Sequence, residues 1–187
     1  MIDSATRLTS LLAAFAAALL LAPVAGQAAP VDMNGLYEQL ADPDNPHWDR
    51  AESDILREWS KSGSPTMDLL LKRGREAIEA GDTTAAIEHL TALTDHAPDF
   101  AEGWYSRAMA YYRAGLYGPS LADLRHVLNL NPHHFAALTG LGTILEESGA
   151  PEDAMKAYRA ALALNPHQDN VRQALERLEK DAEGVEI

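Results

Sequence analysis

The sequence predicts an all-α protein, a solenoid of three helical hairpins with flanking capping helices. Three observations carry that prediction. Pro98, Pro132 and Pro166 fall 34 residues apart. Gly81, Gly115 and Gly149 keep the same spacing, so a second turn signal recurs midway between the prolines. Between these marks, equivalent positions hold side chains of the same size class in each copy. A fixed period in this range is the signature of a repeat architecture.

Residues 1–28 read as an export signal. Arg7 supplies positive charge, 11–22 is an apolar run, Pro23 breaks it, and Gly26 and Ala28 offer small residues for a cut after Ala28. The run of 12 residues falls short of the ~20 that span a bilayer. Cleavage is therefore expected, with a mature periplasmic chain and no stable membrane insertion.

Residues 29–66 form an acidic segment. Eight acids lie in 31–60 against Arg50 and Arg57. Ala51, Ile55 and Trp59, four apart, predict one helix over about 47–60. A shorter helix is expected around 35–40, with a loop at 42–46 where prolines and acids cluster. The helix is expected to cap the first repeat. The segment has two further fates, folding over the less acidic middle of the chain or remaining a solvated linker.

The repeats are 67–100, 101–134 and 135–168. Their eighth place is small (Gly74, Ala108, Gly142), as is the twentieth (Ala86, Ser120, Ala154). The twenty-fourth is large (Leu90, Leu124, Tyr158). Small residues let two helices of about 14 residues approach, and the large ones fill the space beside them. Glycine ends the first helix of each pair, and proline stops the second. The period, with Trp104, Ala108, Tyr111, Ser120, Leu124 and Pro132 in the second copy, resembles the tetratricopeptide repeat (TPR). The first copy departs at Leu70 and Ala77, the third at Leu138 and Leu145. Residues 169–187 follow as a capping helix and tail, with Val171, Ala174, Leu175 and Leu178 on one face.

Composition narrows the function. A net charge of −13 opposes nucleic acid and anionic lipid surfaces. Absence of cysteine removes disulfides, thiolate nucleophiles and cysteine metal sites. No phosphate loop, nucleophile elbow or zinc-protease motif occurs, so neither catalysis nor a cofactor is expected. Arg73 and Arg107, at the seventh place, are read as structural, with each head paired to an acid between repeats.

The TPR resemblance implies that places 2, 5, 9, 12 and 13 of each repeat line a concave groove. Leu71, Arg75, Ile78, Tyr105, Met109, Tyr112, Arg113, Thr139 and Thr143 are the candidate partner-binding residues, with Glu79, Glu102, Ala136, Glu146 and Glu147 beside them. Tyrosines and an adaptable methionine provide contact area at low entropy cost. The Lys and Asn that clamp a C-terminal carboxylate in chaperone-binding TPRs are absent from places 5 and 9. The whole chain resembles small TPR proteins of Gram-negative bacteria associated with envelope integrity. That resemblance implies a monomeric adaptor binding a segment of an envelope protein. Three alternatives stay open: a regulator of a cell-wall enzyme, a metal-binding protein using the turn histidines His133, His134 and His167, and a self-assembling structural protein that stacks repeats end to end.

Overall fold

The computed structural model describes residues 31–185. The expected signal peptide, 1–28, lies outside the described residues. Among those residues the secondary structure is helical throughout: α1 (Met33–Ala41), α2 (Trp48–Trp59), α3 (Pro65–Glu79), α4 (Thr83–His96), α5 (Ala101–Arg113), α6 (Tyr117–Leu130), α7 (Phe135–Glu147), α8 (Pro151–Leu164) and α9 (Asp169–Val185). None of these helices is long and apolar enough to cross a membrane. The all-helical solenoid predicted from the period is the observed fold.

Local chemistry sets the boundaries. Asp82 caps α4, accepting from the Ala85 N–H at 3.0 Å. Pro65 and Pro151 open α3 and α8, where a missing N–H costs nothing. Gly81, Gly115 and Gly149 take φ of 78°, 73° and 75°. The next residue's N–H then bonds back to the last turn, as from Leu116 to the Tyr111 carbonyl at 2.8 Å.

Helices pair within each repeat as α3–α4, α5–α6 and α7–α8. The eighth place faces the twenty-fourth so closely that a Cβ on Gly74 would sit 2.4 Å from Leu90. On Gly142 it would sit 2.5 Å from Tyr158. In the second repeat, Ser120 donates to the Ala108 carbonyl at 2.8 Å, satisfying a buried hydroxyl. Helix α9 packs on the third repeat through Val171, Ala174, Leu175 and Leu178.

The N-terminal hairpin α1–α2 does not cap the first repeat, nor is it a solvated linker. It runs along the turns that join one repeat to the next. Leu40, Ala51 and Ile55 form an apolar cluster with Phe135, flanked by Ala136 and Leu164, and no side chain of the first repeat joins this cluster. The physical reason lies in the partners available. The turns present imidazole rings and Phe135, matching Tyr37, Trp48 and Trp59, whereas the first repeat buries its apolar set within itself and against Ala110 and Met109 of the second.

Arg107 pairs with no acid between repeats: its partner is Asp123 on α6 of the same repeat, bonded at 2.7 and 2.9 Å. Arg73 is exposed and forms no salt bridge among the described residues.

Candidate functional site

The first helices of the pairs, α3, α5 and α7, together with α9, line a concave trough. It is built from depressions that share walls. The central one, about 180 Å³, lies between α5 and α7 and is lined by Tyr105, Met109, Tyr112, Leu124, Ala136, Thr139, Gly140, Thr143, Ile144 and Gln168. Toward the first repeat it shares Tyr105 and Met109 with a depression holding Arg75, Ile78, Glu79 and Arg113. Toward the C-terminus it shares Thr139 and Thr143 with one holding Glu146, Glu147, Tyr158 and Arg177. A further one at the first repeat adds Leu71 and Ser60.

The structure thus brings all nine sequence-predicted residues onto one trough. Their exposure differs. Leu71 and Ile78 are buried in the core of the first repeat and offer only an edge. Arg113 stands exposed at the rim, donating to the Ile78 carbonyl at 3.3 Å. Repeat numbering missed Gln168, Tyr158 and Arg177, which reach the trough from the last turn, α8 and α9. Residues 32–59 do not line the central depression.

The electrostatics are specific. Arg75 pairs with Glu102, a nearly buried carboxylate, and its Nη1 donates to Ser60 Oγ at 3.1 Å. The other oxygen of Glu102 accepts from His134 Nε2 at 3.2 Å. The Ala137 N–H donates to His134 Nδ1 at 3.1 Å, which places the ring proton on Nε2. Tyr105 lies beside this group, and burial, then the charge of Glu102, pushes its phenol up to about 12. At the opposite rim Tyr112 Oη donates to Glu147 Oε1 at 2.6 Å. That bond pushes the phenol up to about 12, while hydrogen bonds from Tyr112 and Tyr117 hold the Glu147 carboxyl below its ordinary range.

The turn histidines are engaged in stacking. His133 lies on Tyr37 with ring centroids 4.3 Å apart, His134 on Trp59 at 4.5 Å and His167 on Trp48 at 4.6 Å. His167 Nε2 donates to the Asp42 carbonyl at 3.1 Å. Among the described residues no three His, Asp or Glu side chains converge as metal ligands would.

Period, hairpins and trough define a helical-repeat solenoid. The tetratricopeptide-repeat family model matches residues 71–125 and 119–169, more than half of the chain, and the protein belongs to that family. It is similar to a TPR repeat-containing protein of Rhizobium etli, 36% identical over 153 residues, which span 78% of this chain and 74% of the relative. Among solved structures, the first TPR of Spaghetti (RPAP3) bound to an HSP90 peptide has a TM-score of 0.61 at 23% identity, covering 64% of this chain and 94% of that one. The Yersinia enterocolitica type III secretion chaperone SycD, in complex with a peptide of the translocator YopD, has a TM-score of 0.61 at 13% identity, covering 64% and 96%. At these identities the two structures speak to the fold alone.

Proposed function

We propose that this protein is an exported adaptor of the cell envelope, which holds an extended segment of another envelope protein in its concave trough and performs no catalysis. The observation that carries the reading is the central depression: a mostly apolar, ring-walled hollow at the middle of a concave surface, flanked by polar rims. An apolar centre within a polar rim is the anatomy of a binding surface. Two solved structures of the same fold are complexes with peptides of partner proteins. The export and envelope parts of the proposal rest on residues 1–28 and on the resemblance of the whole chain.

The test is in-cell crosslinking from a photoreactive side chain at position 112, read by mass spectrometry, with fractionation to locate the mature chain. The expected result is a chain beginning at Ala29 in the periplasm, crosslinked to one segment of an envelope protein. Intramolecular links alone, or a chain retaining residues 1–28 in the cytoplasm, would overturn it. Met109→Arg, which places a charge in the hollow, should abolish the crosslink without loss of helicity.

A further inference from the structure

We infer that the trough selects a basic, apolar segment: one apolar side chain seated between α5 and α7, and a Lys or Arg side chain held at the Glu147 rim. This rests on the peptide-binding reading above and gives its ligand a chemistry.

Gly140, inside α7, lines the central depression. A glycine inside a helix costs about 0.5–1 kcal/mol relative to alanine. At Gly74 and Gly142 close packing compensates, because a Cβ would collide with Leu90 or Tyr158. Gly140 has no such reason: a Cβ there would meet Leu124 at 3.6 Å, an ordinary contact. What the missing side chain does is deepen the hollow between Met109 and Ile144. The hollow therefore takes a side chain from outside.

The basic half lies at the rim. The last residues of α3, α5 and α7 are Glu79, Arg113 and Glu147. The carboxyl end of a helix carries partial negative charge, so an acid there is unfavourable by about 0.3–1 kcal/mol. Arg113 follows the rule; Glu79 and Glu147 oppose it. Glu102 and Glu146 have cations, Arg75 and Arg177, and Glu79 shares its depression with Arg75 and Arg113. Glu147 has only neutral phenols, which keep it ionised and leave its charge uncompensated among the described residues. A Lys or Arg arriving here meets the carboxylate, the end of α7 and the ring of Tyr112, along which its stem can lie. A terminal carboxylate would meet like charge. Arg113 lies on the first-repeat side of the hollow, so the basic residue belongs on the α7 side.

The experiment is selection from a positional-scanning library of acetylated, amidated nonapeptides against the mature chain and two variants. Gly140→Leu fills the hollow with a good helix former, and Glu147→Gln removes the charge at constant shape. The wild type should select an apolar residue with Lys or Arg two or three positions away. Gly140→Leu should lose at least about tenfold in binding with its circular dichroism unchanged. Glu147→Gln should keep the apolar preference and lose roughly two- to fivefold of the basic one, the range of an exposed ion pair. Preference for Asp or Glu, or a basic preference undiminished in Glu147→Gln, overturns the inference; if those peptides still fail on Gly140→Leu, the peptide-binding reading survives it. No selection by the wild type removes both.

Discussion

The indole of Trp59 lies on the imidazole of His134, with ring centroids 4.5 Å apart and planes 20° from parallel. The same indole meets Phe135 at 5.3 Å and donates from Nε1 to the Tyr37 hydroxyl at 3.1 Å. One side chain thus joins α1, α2 and the turn before α7. Aromatic pairs add about 0.5–1.5 kcal/mol each beyond the area they bury. Trp59→Ala should lower the unfolding free energy by about 3 kcal/mol, the low end for loss of a large ring. Trp59→Phe should restore part of that. Urea denaturation measures both; a loss below about 0.5 kcal/mol, the size of an ordinary surface change, would show the stack to be incidental.

Two glycine substitutions should move stability in opposite directions. Gly142→Ala gains about 1 kcal/mol in helix propensity, but its Cβ would lie 2.5 Å from the Tyr158 ring. That ring is buried and its hydroxyl is bonded to Glu146 at 2.9 Å, so it cannot swing away cheaply. Overpacking costs about 1–3 kcal/mol and should win. Gly118→Ala on α6 meets nothing within 4 Å, so it should stabilise by about 0.4–1 kcal/mol. Thermal melts of the two variants give the comparison directly.

Arg107 and Asp123 form a fork-to-fork pair, their side chains only 12% and 7% exposed. Thr94 accepts a third guanidinium hydrogen bond at 2.8 Å. Arg107→Ala leaves a buried carboxylate without its cation and should cost about 3–5 kcal/mol. The double variant Arg107→Ala with Asp123→Ala should cost less than the sum of the single changes, since neither charge is then stranded. Arg107→Lys should rescue poorly, because an ammonium cannot span both oxygens. Additive costs in this cycle would contradict the pairing.

Tyr105 and Tyr112 both rise from the ordinary phenol value of 10.0 to about 12, for different reasons. For Tyr105 burial leads; for Tyr112 the hydrogen bond to Glu147 leads. A raised phenol pKa adds stability that is complete below pH 10.0 and lost as pH rises through about 12. Glu147 acts in the opposite sense: its depressed carboxyl contributes stability above the ordinary carboxylate range, lost as pH falls through its folded value. Glu147→Gln should return Tyr112 toward 10.0 and leave Tyr105 in place. Tyrosine ring-carbon NMR titration separates the two; a parallel drop in both would assign their shifts to one shared field.

Much of the fold was legible in the sequence because a period is a redundant signal. Gly81, Gly115 and Gly149 each mark the same turn, and Gly74 and Gly142 each mark the same close approach. The trough positions followed because a place in the repeat fixes a direction on the helix. What was not legible has no counterpart in other copies. Tyr37, Trp48 and Trp59 choose imidazoles 75 to 119 residues away, and a repeat pattern describes only neighbouring units. His134 reads as a turn residue; that it caps α7, bonds Glu102 and carries an indole follows only from the folded arrangement. Gln168, Tyr158 and Arg177 enter the trough from elements whose places point elsewhere in a simple array.

The α1–α2 hairpin changes what kind of polymer this is. In a plain array each unit leans only on the next, and the ends can fray one at a time. Here Glu52 accepts from Asn165 Nδ2 at 2.9 Å across 113 residues, and the Asp42 carbonyl holds His167 across 125. Among the described residues, the part synthesised first is the part whose docking surface is completed last. As it leaves the ribosome, α2 exposes Trp48, Ile55 and Trp59 until the third repeat exists to receive them. Once it closes, the hairpin holds the turns before α7 and α9 together, and the last repeat opens only by breaking those long-range contacts as well as the ones to its neighbours.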